Sequence, residues 1–141
     1  MRVILAILTG AVLFSVGIPG CSKTPSNTIA GQIIKKISIV EAYALVQANS
    51  GKFDFVLLDV RTPSEFDDGH LSGAIMIDFG SANFKNEVGK LDKNKRYLVY
   101  CRTSHRSGLA VAEMKNLGFI EVYDMDGGIV AWQSAGYPTV K

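Results

Sequence analysis

From residue 37 onward the chain alternates short apolar runs with segments of helical spacing, and no other feature limits its fold as much. "FDFVLLDV" carries a continuous apolar run, Phe55 to Leu58, that ends in Asp59, the pattern of a strand buried on both faces. "GAIMIDF", "RYLVYC" and "IEVYDM" read as three more strands, rich in aromatic and β-branched residues. Helices fall between them. Ser38 with Glu41 forms a capping box that opens a helix through Ala48. "TPSEF" starts a short helix with Thr62 as N-cap and Pro63 in the first turn. Ser81 to Leu91 reads as a weak helix. "RSGLAVAEMKNLGF" reads as an amphipathic one, with Leu109, Ala112, Met114 and Leu117 on its apolar face and Gly118 as its stop. "GGIVAWQSAG" is a final helix, packed through Trp132 and ended by Gly136 and Pro138. Strands that alternate with helices pair in parallel, because a parallel connection needs a long crossover. The expected fold class is therefore α/β: a doubly wound sheet of mostly parallel strands with helices on both faces.

The first 35 residues do not fit that pattern. "MRVILAILTGAVLFSVGIPGCS" has one basic residue, Arg2, an apolar run from Val3 to Ile18, and small Gly20 before Cys21. This is the layout of an export signal, and the run is shorter than the ~20 residues of a membrane-spanning helix. "IPGC" resembles a bacterial lipobox, with Pro19 in its variable place, which implies cleavage before Cys21 and lipidation of that cysteine. "SKTPSNTIAGQ" then reads as a flexible tether. The expected organisation is a signal peptide over 1–20, a tether over 21–35 and one domain over 36–141, exported to the periplasm or cell surface and held at a membrane by its N-terminal lipid. An ordinary signal peptide that happens to precede a cysteine is the simpler alternative.

Charge excludes one class of partner. Fifteen basic residues face thirteen acidic ones, and no Lys/Arg run forms a phosphate-tracking stripe, so nucleic acid is not an expected partner. Two cysteines and two histidines, widely scattered, have no zinc-like spacing, so no metal or cofactor is expected. With Cys21 lipidated, Cys101 is the sole thiol of the mature chain and has no disulfide partner within it.

Cys101 heads "CRTSHRSG", between the strand "RYLVY" and the following helix. Ligand sites of doubly wound sheets form at such handovers. The loop wraps a helix N-terminus, where backbone N–H groups lack intrahelical partners and the helix dipole adds partial positive charge. Arg102 and Arg106 add two permanent cations. The combination predicts a depressed thiol pKa and a cradle for an anion formed on the sulfur, the requirements of a covalent nucleophile. Thr103 and Ser104 read as loop hydrogen-bonders. His105 either lines the mouth of the site or faces solvent. A buried, inert cysteine at a strand end is the competing reading, and the catalytic one requires a thiol that solvent can reach.

Three motifs give this reading a family. "LLDVRTPSEFDDGHLSGAIMIDF", "CRTSHRS" and "DMDGGIVAWQSAGYP" stand in the order of the signatures of single-domain rhodaneses, which the chain resembles from residue 36 to its C-terminus. Ser104 stands where many members have glycine. The resemblance implies a sulfurtransferase in which Cys101 takes a sulfane sulfur from a donor, holds it as a persulfide, and passes it to a thiophilic acceptor (a thiol, cyanide or a partner protein). Loop amides from Arg102 to Ser107 would hold the persulfide, and Arg102 and Arg106 would favour an anionic donor such as thiosulfate. Asp59 is expected to support the loop by hydrogen bonding, or else to cap the helix that follows. Arg61 is expected to pair with Glu65 or a neighbouring carboxylate, and His70 to be structural. Gly127 and Gly128 permit a tight strand-to-helix turn.

Two other functions remain. One is a persulfide-sensing or partner-binding module with little turnover. The other is a cysteine phosphatase or arsenate reductase, which uses the same thiolate logic with a longer loop. Only four residues, Arg102 to His105, separate Cys101 from Arg106 here, a ring better suited to one sulfur than to a phosphate.

Overall fold

A computed structural model describes residues 31–141. The signal segment, Cys21 and the tether up to residue 30 lie outside the described residues. The elements run β1 (Ile33–Ile37), α1 (Ile39–Asn49), β2 (Phe55–Asp59), α2 (Pro63–Asp67), β3 (Ile75–Met76), α3 (Phe84–Gly89), β4 (Arg96–Tyr100), α4 (His105–Asn116), β5 (Glu121–Met125) and α5 (Gly128–Ser134). The five strands lie in the order β1-β5-β4-β2-β3, and every neighbouring pair is parallel. Ser38 and Thr62 each complete a capping box, with Glu41 and Glu65 respectively.

Strand alternation splits the core in two. Leu58, Tyr97 and Val99 point to one side and pack with Val88 of α3 and Ala110, Val111 and Met114 of α4. Leu57, Leu98 and Tyr100 point to the other and pack with Ala42 of α1 and Ile129 and Trp132 of α5. A strand buried on both faces is apolar along its middle, which is why Phe55–Leu58 of β2 and Tyr97–Tyr100 of β4 read as unbroken apolar runs. Each such side chain contributes about 1.5–3 kcal/mol on burial. The same period of two carries Cys101, one step past β4, onto the α3/α4 side with Tyr97 and Val99.

Three elements differ from the sequence reading. Residues 33–35, assigned to the tether, form the first part of β1, an edge strand paired only with β5. "IIKKI" lacks clean alternation, and its order comes from β5 and from Gln32, whose amide donates to the carbonyls of Lys115 (3.0 Å) and Phe119 (2.7 Å). Lys35 and Lys36 are exposed on this edge strand, where charge discourages pairing with another chain. β3 shrinks to two residues. On α4 the buried positions are Ser107, Ala110, Val111 and Met114, spaced i, i+3, i+4, i+7, whereas Leu109 is 49% exposed and Ala112 is also exposed. Ser107 is the polar head of the buried stripe. A reading by hydrophobicity alone skips it and starts the face at Leu109.

Candidate active site

The loop from Cys101 to Ser107 is fixed from below by α5. The N–H of Ile129 donates to the carbonyl of Cys101 (2.9 Å), and that of Val130 donates to the carbonyl of Arg102 (3.2 Å). These amides open α5 and have no intrahelical acceptor, so the loop carbonyls complete them. The approach is possible only because residue 128 is glycine. A Cβ there would stand 2.5 Å from the carbonyl carbon and oxygen of Arg102 and from the carbonyl oxygen of Cys101. With two carbonyls turned toward α5, the amides of Arg102 to Ser107 donate to no backbone or side-chain acceptor among the described residues. They form a set of unengaged donors around the start of α4, as an anion cradle requires.

Ser104 sets the shape of the turn. It is the one non-glycine residue with positive φ (82°) among the described residues, in the left-handed region that normally selects glycine. Its hydroxyl is what holds it there. Oγ accepts from the N–H of Gly127 (2.6 Å) and donates to the carbonyl of Met125 (3.2 Å), tying the loop to the β5–α5 turn. The left-handed backbone costs a non-glycine residue about 1–2 kcal/mol. Leaving the buried partners of a deleted hydroxyl unpaired costs about 1–3 kcal/mol. Ser104→Ala keeps the strain and loses the bonds, so urea denaturation should show a loss of about 2 kcal/mol. Ser104→Gly loses both together and should stay within about 1 kcal/mol of the parent. Equal losses in the two variants would show that the hydroxyl does not compensate the backbone.

Among the other expected site residues Arg61 pairs with a neighbouring carboxylate and His105 is exposed, as expected, whereas Asp59 and Arg106 stand differently from the sequence reading. Asp59, fully buried, does not bond the loop. Its carboxylate accepts from the backbone N–H (2.9 Å), Nε (3.0 Å) and Nη2 (2.7 Å) of Arg61, because the chain turns back on itself directly after β2. Helix α2 is capped by Thr62 instead. Arg61 also donates to the carbonyl of Gly69 (2.8 Å) and lies over the Tyr100 ring at 5.8 Å, so the pair braces the floor beside the site. Arg106 is not a free cation. Its two terminal nitrogens each donate to Glu65 at 2.7 Å, and this contact is the chief reason that the Glu65 carboxyl is lowered to about 2. The guanidinium is held in its charged form chiefly by the same carboxylate. Glu65 takes up most of the positive field expected from Arg106. Arg102 is exposed and makes no ion pair or side-chain hydrogen bond among the described residues. Thr103 and His105 are also exposed, and His105 begins α4. The hydroxyl of Ser107 turns inward, donating to Asp124 (2.6 Å), so only its amide can serve the cradle.

Cys101 is free and only 1% exposed. The solvent-facing thiol expected from the sequence is not found: the strand period that places Cys101 in line with Val99 also packs it against the α3/α4 core.

Sequence reasoning missed Asp124 and the Glu65–Arg106 contact. Asp124 is buried, and its carboxyl is pushed up chiefly by desolvation, against the bond from Ser107. A charged residue inside the otherwise apolar "VYDM" was the available signal. His70 is structural, stacked on Phe66 at 3.7 Å with Nδ1 2.9 Å from the Phe66 carbonyl.

The only thiol among the described residues, at the β4–α4 handover of a doubly wound parallel sheet and beside unengaged amides, defines a class: α/β proteins with a cysteine-headed loop between a strand and a helix. Within it the chain belongs to the rhodanese-like domain family, whose description matches residues 41–135. It is 32% identical over 105 residues to the thiosulfate sulfurtransferase GlpE of Stutzerimonas stutzeri, covering 74% of this chain and 89% of that protein. It is 38% identical over 82 residues (58% of this chain) to the probable adenylyltransferase/sulfurtransferase MoeZ of Mycobacterium tuberculosis, and spans only 21% of that longer protein. The match to an uncharacterised Synechocystis protein spans 47% of its length. Among solved structures, a rhodanese-related protein from Thermoplasma volcanium superposes with a TM-score of 0.65 at 29% identity, over 75% of this chain and 97% of that one. A Rhodopseudomonas palustris protein described as a possible tyrosine phosphatase superposes at 0.61 with 27% identity, over 76% of this chain and 85% of that one.

Proposed function

We propose that this protein is a sulfurtransferase that works through a persulfide on Cys101. The Cys101 thiolate attacks the outer sulfur of a donor such as thiosulfate. A new S–S bond forms, the donor's S–S bond breaks, and its electron pair leaves on sulfite. An acceptor thiolate or cyanide then attacks the outer sulfur, and the electron pair of the broken S–S bond returns to Cys101. The cycle is ping-pong and needs no external oxidant or reductant. The observation that carries this reading is the lone thiol beside a loop whose amides from Arg102 to Ser107 have no acceptor of their own among the described residues. The names of the GlpE relatives support it. Four residues between Cys101 and Arg106, and the engagement of Arg106 by Glu65, weigh against a phosphatase.

One observation favours the binding-module reading: the 1% exposure of Cys101. Turnover then requires the loop to part, and its exposed crest at Arg102 and Thr103 is the stretch with unengaged amides. Thiosulfate-dependent thiocyanate formation, compared with Cys101→Ser, separates turnover from a module with little turnover, and intact mass after incubation with thiosulfate reads the persulfide itself. Thiocyanate formation that depends on Cys101, and addition of one sulfur to it, are the expected results; a folded protein that forms no thiocyanate favours the module.

Export and lipid anchoring through Cys21 complete the proposal. Protein extracted from membranes should begin at Cys21 and carry added acyl mass. A soluble product with an unmodified Cys21 would reject the anchor and leave the chemistry untouched.

A further inference from the structure

The strands are all parallel, so their N-terminal ends share one end of the sheet, and Cys101 follows β4 at the other. Main-chain bonds draw the N-terminal end together. The N–H of Ile33 donates to the carbonyl of Ile120 (2.7 Å), that of Ile120 to Lys93 (3.0 Å), and that of Arg96 to Asp54 (2.8 Å). This row gathers three apolar side chains at the surface: Phe53, 87% exposed, Ile120, 44%, and Ile33, 40%. No other large hydrophobic among the described residues is as exposed as Phe53. Lys52, Lys90, Lys93 and Lys95 stand in the loops that enter β2 and β4, against Asp54 and Asp92. None of these lysines makes an ion pair among the described residues, while Arg96 and Glu121, at the strand starts, neutralise each other. Over residues 31–141 thirteen basic residues balance thirteen acidic ones, so the surplus of cations at this end is a local polarity. The chain also enters here. Nine residues, 22–30, separate Cys21 from the described chain, and that length spans at most about 30 Å. The row itself, from β1 to β2, is about 14 Å wide.

We propose that the N-terminal end of the sheet docks on the anionic bilayer that holds the Cys21 lipid, with Phe53 seated among the headgroups and the lysines around it on anionic lipid. This rests on the anchor reading of Cys21 and is independent of the sulfurtransferase reading. An exposed aromatic ring flanked by aliphatic side chains and ringed by lysines combines the two attractions that hold a surface at a bilayer: apolar burial at the headgroup boundary and the pull of anionic lipid. The tether keeps the domain near the membrane, and the charged, apolar end selects which face meets it. Strands of five residues then raise the Cys101 loop about 17 Å above the surface. The loop faces water, open to dissolved donors and acceptors.

Fluorescence reads the orientation directly. The protein extracted from membranes is reconstituted into vesicles of phosphatidylethanolamine and phosphatidylglycerol (3:1) that carry lipids brominated near the headgroup. Phe53→Trp places a fluorophore at the docking end without adding a buried atom, and the parent supplies the background of Trp132, which is buried. Ala82→Trp is the control: Ala82 is exposed and follows Phe79, whose N–H bonds Val60 beyond the C-terminal end of β2. The emission added by Phe53→Trp should shift to the blue and be quenched, and that added by Ala82→Trp should do neither. On phosphatidylcholine vesicles the Phe53→Trp quenching should fall. Adding Lys93→Gln and Lys95→Gln to Phe53→Trp should lower the ratio of docked to undocked domain on the anionic vesicles about 30-fold, two lysines' share of the attraction. An acylated protein whose Phe53→Trp emission is unquenched, or quenched no more than that of Ala82→Trp, would overturn the docking and leave the anchor standing. Quenching indifferent to phosphatidylglycerol and to the two lysines would overturn the anionic surface as the partner. A protein without acyl mass on Cys21 would overturn the anchor, and this orientation with it.

Discussion

Cys101→Ser is expected to abolish persulfide formation and to lower thiosulfate-dependent sulfur transfer by about 10³-fold or more, the scale on which removal of a covalent nucleophile is felt. A serine hydroxyl is not ionised at neutral pH, so it presents no anion for the loop amides to stabilise. The substitution is not chemically pure, however. Position 101 is 1% exposed and lies in the α3/α4 core, and a buried hydroxyl without a partner costs about 1–3 kcal/mol. Lost activity could then reflect lost fold. Cys101→Ala removes the same nucleophile and introduces no polar atom, so the two variants should differ in thermal midpoint but share the same absence of turnover. Circular dichroism under the assay conditions establishes how much of each is folded. Transfer that survives in a folded Cys101→Ala protein would remove Cys101 from the mechanism.

The contrast between the two cores explains what the sequence made legible. β2 and β4 are recognisable because burial on both faces demands apolar residues along their middle, and α1 and α2 because their capping boxes are local, closed within four residues. The active loop is recognisable because its chemistry is contiguous, from Cys101 to Ser107. What stayed hidden is non-local. Arg106 meets Glu65 across 41 positions of chain, so its neutralisation cannot be read from the loop. β1 carries two lysines at its centre and owes its order to β5, to which "IIKKI" gives no pointer. The depth of Cys101 follows from the strand period, which the polar neighbours Arg102 and Thr103 obscure by suggesting a surface loop. Ser104 in left-handed backbone is visible only as a departure from the family's usual glycine, and its compensation by Gly127 and Met125 comes from another segment altogether.

Gly128 is where the non-local part of the design can be measured. Gly128→Ala is expected to lower stability by about 3–5 kcal/mol, a large share of the roughly 5–15 kcal/mol that holds a domain of this size. Two costs combine. The residue has φ +59°, which costs a non-glycine residue about 1–2 kcal/mol. The new Cβ also meets three main-chain atoms at 2.5 Å. Main chain cannot rotate aside as a side chain does, so the loop must lift from α5, stretching the bonds from Ile129 to Cys101 and from Val130 to Arg102. Gly136→Ala isolates the first cost, because Gly136 has φ +76° but nothing within 4 Å of its added Cβ. It should lose about 1–2 kcal/mol and keep full sulfur transfer per folded molecule. Gly128→Ala should lose the larger amount by urea denaturation and, measured on the folded fraction, also transfer less sulfur, since lifting the carbonyls of Cys101 and Arg102 reorients the amides next to them. If the two variants match in both respects, the seat of the loop on α5 does not set the geometry of the cradle, and the amides must be oriented from the α4 side alone.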